Sequence, residues 1–366
     1  MNRRSRSRNS VMPHTSVMPT VVQDTAAATH TESASAPPRV TYISWAESCS
    51  RSDHTARELG GRSHMIYARR FGSRATTILF KYAAQWIRTA RVLRAERPDA
   101  VFVMTPPLFA SLPALLYTWR HRKRLVLDAH SAAFMHPRWR RFQSLQRALC
   151  RRAATTLVHN EHVAQLVRYA GGDATLVPDV PIEFSVLERF PRPDGFVVAV
   201  VCSFNYDEPI AAILAAAAML PEVHFFVTGN PRHLDVEVTQ SLPSNVRLTG
   251  FLSTSAYGGL LTDADVVLTL TTRDHTMLRG AYEAIYQGTP VIVSNWPILR
   301  DAFPFGAEHV DNSPVQIAAA VRQMQAEREA YRAGARRLRE MKLERWQSTA
   351  AAIRARIDPA RVSDTP

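Results

Sequence analysis

Short apolar runs recur along this chain, each bounded by polar or glycine- and proline-bearing segments, and they alternate with stretches of helical spacing. Val266-Val-Leu-Thr-Leu270 is one such run, and its β-branched content suits a strand covered on both faces. A polar loop follows, then a helix expected from Leu278 to Gln287 that Gly288 stops. Pro290 bars further helix before Val291-Ile-Val293 returns to the sheet. Nearer the start, Arg39 to Trp45 reads as a strand. Ala46 to Gly61 reads as a polar loop entering a helix that ends at paired glycines, the form of a first βα unit. Phe80, Ala83, Ile87, Ala90 and Leu93 recur at helical spacing, which predicts a core-packing helix ending before Pro98. Ala100 to Met104 is then a buried strand, Leu108 to Trp119 an apolar helix, and Leu125 to His130 another strand. Thr155 to Val158 and Thr175 to Val177 add two short strands, with a helix from Val163 to Gly171 between them.

The rhythm restarts after a proline-bounded connector. Pro178, Pro181, Pro191 and Pro193 stiffen a stretch without periodicity, which places a domain boundary near 186 to 194. Phe196 to Val201, His224 to Thr228 and Val246 to Thr249 then read as strands. Helices are expected from Pro209 to Leu220 and around Ser255 to Leu261. From Ser313 onward the chain is helical, with Val321, Met324, Leu338, Met341, Trp346 and Ile353 available to pack. Two successive series of alternating strands and helices predict an α/β fold with two Rossmann-like, doubly wound domains. The expected division is a disordered tail over 1–38, a first domain over 39–187, a second over 188–345, and a terminal helix and tail over 346–366.

Composition supports that size of fold: 366 residues, 46% of them hydrophobic, suffice for two cores. Cys49, Cys150 and Cys202 lie far apart without metal-ligand spacing, which favours free thiols in a reducing compartment over disulfides or a zinc site. No apolar run approaches the roughly 20 residues needed to span a bilayer, and no signal-type apolar core follows the basic start. The expected location is the cytoplasm or the inner face of a membrane. Of the formal charge of +13, the first 38 residues carry only +2, so +11 falls on the folded part. Such an excess attracts phosphates, anionic headgroups or nucleic acid. From Arg138 to Arg152 six arginines interleave with Trp139, Phe142, Leu145 and Leu149, with no acidic residue. That segment forms either a basic amphipathic helix for an anionic membrane surface or a solvated helix that buries its apolar stripe. Nucleic acid is not expected as a partner, because no helix-turn-helix, zinc finger or aromatic RNA motif accompanies the charge.

Two places carry candidate chemistry. Glu283 falls in a helix whose start faces the carboxyl end of a parallel strand, where open α/β sheets bind ligands. A carboxylate there can accept both hydroxyls of a ribose while amides at the helix start hold phosphate. Asp128 and His130 are likewise delivered to the carboxyl end of their strand.

Glu283-Ala284, Gly288-Thr-Pro-Val-Ile292 and Ser294 together resemble the donor-sugar motif of GT-B glycosyltransferases. The resemblance is to the retaining, family 4-like (group 1) type typified by bacterial polysaccharide enzymes, and it covers roughly residues 39 to 345. It implies two Rossmann-like domains facing a cleft, with a C-terminal helix that crosses back and would suit Trp346 as an anchor. It assigns Glu283 to the nucleotide ribose. The glutamate that the family places by the donor sugar, with seven residues between it and the ribose glutamate, is His275 here. It gives His130, with Asp128, a place beside the reacting carbon of the donor sugar. Ser50, Arg51, Ser52, Asp53 and His54 fall on the acceptor side, where an ordinary capped helix start is the alternative. The family often supplies a basic residue from the turn after the second domain's first strand, but residues 203–209 contain no Lys or Arg. Arg232, Arg273 or Arg279, with the helix start at Gly280, would neutralise phosphate instead.

The implied activity is transfer of a hexose-type sugar, with retention, from a nucleoside diphosphate sugar to a glycan or lipid-diphosphate acceptor in bacterial exopolysaccharide, capsule or lipid-linked glycan synthesis. No cofactor and no metal are expected. The absence of a carboxylate pair at hydrolase spacing argues for transfer rather than hydrolysis. A nucleotide-sugar 2-epimerase of the same fold and a noncatalytic sugar-nucleotide-binding partner of glycan assembly are the alternatives.

Overall fold

The computed structural model describes residues 38–358 apart from 70–75, 185, 235 and 275, so the expected tail up to residue 37 and His275 lie outside the described residues. In the first lobe the strands are β1 (Val40–Ser44), β2 (Arg62–Met65), β3 (Ala100–Thr105), β4 (Arg124–Ala129), β5 (Thr155–Val158) and β6 (Ala174–Leu176). They form one parallel sheet in the order β2-β1-β3-β4-β5-β6. Helices α1 (Ser50–Glu58), α2 (Ile78–Glu96), α3 (Ser111–His121), α4 (Ala132–Met135), α5 (Gln143–Arg152) and α6 (Glu161–Tyr169) connect them.

The second lobe repeats the plan with β7 (Phe196–Val200), β8 (Val223–Thr228), β9 (Val246–Gly250), β10 (Val266–Leu268), β11 (Val291–Ser294) and β12 (Ala307–Val310). Its sheet is also parallel, in the order β12-β11-β10-β7-β8-β9. The connecting helices are α7 (Ile210–Ala218), α8 (Val236–Gln240), α9 (Thr254–Asp263), α10 (Arg279–Tyr286) and α11 (Pro297–Ala302), followed by α12 (Pro314–Ala326) and α13 (Arg328–Ile357). Helical crossovers cover both faces of each sheet, so β1, β3 and β7 are buried along their whole lengths. Strand order reverses between β1 and β3 in one sheet and between β7 and β10 in the other. Those switch points are where such sheets leave a crevice.

Helix α13 joins the lobes, and the fold is GT-B. Ala335 and Leu338 pack into the second lobe, whereas Trp346, Ala350, Ile353 and Ile357 pack against Val40, Tyr42 and Phe102 of the first. Trp346 also donates its indole N–H to Glu58 at 2.7 Å. The helix runs unbroken through positions 345 and 346.

Helix α2 departs from the expectation. Leu93 is buried, but Phe80 is 67% exposed and Ile87 50%, and Ala83 also faces solvent. The inward face is the polar one, because Gln85 donates to the Ile66 carbonyl at 2.6 Å and Thr89 accepts from the Trp45 indole at 2.9 Å. The arginine-rich stretch is not one helix either. A 3-10 segment over Pro137–Phe142 precedes α5, and Trp139 and Leu149 turn into the core. The edge strands β2 and β12 and the short helix α11 were not expected from the pattern.

Candidate active site

Two cavities open at the switch points. The first, of about 560 Å³, lies between the lobes and is lined by Cys49, Ser50, Arg51, His54, residues 128–131 and His159 on one side. Asp179 and Ile182 of the connector, with Met277, Arg279 and Tyr282, close the other side. The second, of about 500 Å³, sits in the second lobe between the turn after β7 and the start of α10. Met277 and Arg279 line both.

In the second cavity Glu283 is 5% exposed, one turn into α10. Tyr257 of α9 donates its hydroxyl to Glu283 Oε2 at 2.6 Å, and Arg279 Nε donates to Oε1 at 2.6 Å. Burial and the neighbouring carboxylate push the Tyr257 hydroxyl well above its ordinary pKa, so it stays a donor. Gly280 permits the close approach of α10 to the sheet, since a Cβ there would stand 2.6 Å from the Val201 side chain. Ser294, at the end of β11, acts on a loop: its hydroxyl accepts from Thr271 N at 2.8 Å and donates to Asn312 at 2.7 Å. Thr271 in turn donates to Asp207 at 3.1 Å, which fixes the turns after β7 and β10 to each other. Arg273 stacks over the Tyr206 ring at 5.2 Å, and neither it nor Arg232 lines either cavity.

On the first-lobe side, Asp128 is the penultimate residue of β4 and is buried. Tyr42 donates to one of its oxygens, and Arg51 Nε approaches both at 3.1 and 3.3 Å while Arg51 Nη2 donates to the Val177 carbonyl at 3.1 Å. Burial alone would raise the Asp128 pKa. Arg51, His130 and the two hydrogen bonds outweigh it and hold the carboxylate below its usual range. His130 is anchored by its backbone N–H on the Thr105 carbonyl at 2.9 Å, and its Nε2 is buried without a hydrogen-bond partner. Burial, then Arg57 and Arg279, lower the His54 pKa to about 4. Ser52 and Asp53 turn away from the cavity: Ser52 bonds Ser44 at 2.6 Å, and Asp53 accepts from Ser63.

Sequence reasoning missed His159 as a site residue. It follows β5, one strand over from His130, and burial, Arg51 and His130 lower its pKa. The signal was available, for it too stands directly after a short strand readable from its β-branched residues. Among the described residues no group of three or more His, Cys, Asp and Glu is placed to hold a metal. Asp263-Ala-Asp265 has the Asp-x-Asp spacing that can hold a metal, but Arg192, Arg328 and Arg332 surround Asp265, and Asp263 accepts the Phe190 N–H. No helix among the described residues is long and apolar enough to cross a membrane.

A family model described as glycosyl transferase 4-like domain matches residues 23–182, and one described as glycosyl transferase-like matches 209–355. No curated protein matches the chain. Among solved structures, the sucrose-phosphate synthase of Thermosynechococcus elongatus is 14% identical with a TM-score of 0.60, over 86% of this chain and 97% of that one. HepE of Anabaena, solved with UDP-glucose, is 12% identical with a TM-score of 0.59, over 87% and 100%. A putative UDP-N-acetylglucosamine 2-epimerase from Listeria monocytogenes is 14% identical with a TM-score of 0.52, over 82% and 91%. At these identities the likeness is one of fold.

Proposed function

The chain belongs to the 4-like, group 1 family of GT-B glycosyltransferases, and from that premise we propose how its two cavities divide sugar transfer between them. The donor is a nucleoside diphosphate sugar, its nucleotide in the second cavity and its sugar reaching past Met277 and Arg279 into the first. The carrying observation is the buried Glu283 carboxylate on the wall of the second cavity. Tyr257 and Arg279 use two of its roughly four lone-pair sites, leaving acceptor capacity for the ribose hydroxyls.

In the transfer step the bond from the sugar carbon to the diphosphate breaks as the bond to the acceptor oxygen forms. The electron pair leaves with the diphosphate, whose released oxygen takes the proton given up by the acceptor hydroxyl. Arg279 and the amides at the start of α10 stabilise that charge without a metal, an arrangement prepared before the reaction begins. His130, with an unpartnered buried Nε2, is the group that meets the donor sugar, and Asp128 and Arg51 fix the strand end that carries it. Configuration is retained, following the family type.

The acceptor enters along Ser50, Arg51 and His54 and is a glycan carried on a lipid diphosphate, as bacterial polysaccharide assembly uses. The outward apolar face of α2, continued by the exposed Arg94, supports approach to an anionic bilayer better than residues 138–152 do, since Trp139 and Leu149 are buried. HepE was solved with UDP-glucose, so uridine diphosphate hexoses are the donors to try first. The test is incubation with radiolabelled nucleotide sugars and a membrane lipid extract. Label should reach lipid, and Glu283→Ala should slow the transfer at least about tenfold at donor concentrations below saturation; undiminished transfer by that variant would remove the assignment.

A second reading has one observation in its favour: His54, His130 and His159 converge on one cavity, a supply of proton-transfer groups that a nucleotide-sugar 2-epimerase would need. NMR of the donor after incubation without acceptor separates the two, because only epimerisation changes the sugar while the diphosphate bond survives.

A further inference from the structure

The turn after β7 already holds an anion. Ser203 N–H points at both oxygens of the Glu208 carboxylate, at 3.0 and 3.1 Å, and Asn205 N–H donates to one of them at 2.8 Å. Phe204 between them has φ of 59°, the left-handed conformation that turns neighbouring amides toward one point and builds an anion-binding nest. Gly229 lets the turn sit there, since a Cβ at that position would stand 2.7 Å from the Cys202 carbonyl and 2.9 Å from the Phe204 ring. Ser203, Asn205 and Glu208 line the second cavity together with Arg279, Gly280 and Glu283. Among the described residues no cation pairs with Glu208, so amides alone hold its charge.

We propose that Glu208 is a built-in competitor for the donor's diphosphate, its carboxylate filling the Ser203–Asn205 nest in the empty site and leaving it when a nucleoside diphosphate enters. The proposal rests on the second cavity being the donor site. Diphosphate and carboxylate are both oxyanions that satisfy the same two N–H groups, and their like charges disfavour joint occupancy. The apparent affinity of the site for phosphate is then its intrinsic affinity reduced by the fraction of molecules with an open nest. Glu208 thereby sets how strongly the enzyme holds both its donor and its diphosphate product, while leaving recognition of the nucleoside untouched.

Calorimetric titration of the full chain, Glu208→Gln and Glu208→Ala with UDP, ADP, GDP, inorganic pyrophosphate and the bare nucleosides tests this. Pyrophosphate and the preferred nucleoside diphosphate should bind Glu208→Ala about tenfold tighter than wild type or better, with Glu208→Gln between them and nucleoside affinity unchanged. Gln keeps the shape and one neutral acceptor, so if the alanine variant does not fold, the order of Gln against wild type decides. Equal or weaker phosphate binding by folded variants overturns the role of Glu208 alone. Failure of all three proteins to bind any diphosphate overturns the donor reading with it.

Discussion

Tyr257 of α9 and Glu283 of α10 meet hydroxyl to carboxylate at 2.6 Å, and this contact holds a charged group on a cavity wall while hiding most of it from solvent. A hydrogen bond to a charged group is worth about 1.5–3 kcal/mol. Glu283→Ala should therefore weaken donor binding roughly 10- to 100-fold, and Tyr257→Phe should weaken it less. Because Tyr257 acts through Glu283, its effect should vanish in the Glu283→Ala background. A double-mutant cycle on KM and kcat checks this, and independent, additive losses would separate the two residues.

The Asp128–Arg51 pair should hold the first lobe together against acid. Removing one partner of a buried pair typically costs about 3–5 kcal/mol, so Asp128→Asn should lower the denaturant midpoint strongly at neutral pH. The folded carboxyl titrates below its unfolded value of about 3.9, so the stability it contributes is whole above roughly pH 4 and is lost as pH falls through the depressed folded value. Unfolding measured from pH 3 to 7 should show that acid limb in wild type and lack it in Asp128→Asn.

His54 acts in the same direction at higher pH. Its folded pKa of about 4 lies below the unfolded value of about 6.5, so the unfolded chain binds the extra proton between those limits and stability falls as pH drops from 6.5 toward 4. His54→Gln should remove that slope without acting near pH 8. An imidazole NMR titration with a midpoint above 6 would contradict the cause assigned here, burial beside Arg57 and Arg279.

How much of this was legible in the sequence depended on burial. Strands buried on both faces, such as Phe196–Val200, announce themselves as unbroken apolar runs. Arg62-Ser-His-Met65 and Ala307-Glu-His-Val310 do not, because an edge strand pairs on one side only and its side chains meet solvent as often as core. Glu283, Arg279 and His130 could be placed because a strand end or helix start is visible in the pattern. Their partners could not. Nothing local to Tyr257 says that it faces a carboxylate 26 positions away, and nothing in residues 203–208 says that a glutamate folds back on their amides.

Helix α2 inverts the usual rule, and that inversion is testable. Lys81 lies over the Tyr67 ring at 3.9 Å, and Gln85 and Thr89 have partners inside, so rotating the helix to bury its apolar face would leave three polar groups without them. Leu79, Phe80, Ala83, Trp86 and Ile87 therefore form an outward stripe, continued by Arg94. Aromatic contacts run from Tyr82 of α2 to Phe109 at 5.5 Å and on to Phe142 at 5.1 Å, and Arg138, Arg140 and Arg141 of that neighbouring segment are exposed. Exposed apolar groups accompanied by exposed arginines suit insertion at the headgroup level of an anionic bilayer. Each large side chain so buried contributes about 1.5–3 kcal/mol, so Phe80→Asp with Ile87→Asp should weaken co-sedimentation with phosphatidylglycerol vesicles well over tenfold. Folding stability should shift by no more than about 0.5 kcal/mol, because neither residue packs in the core. Transfer to a water-soluble acceptor should survive in the double variant while transfer to a vesicle-borne acceptor falls. Vesicle binding equal to wild type would show that the stripe serves something other than a membrane.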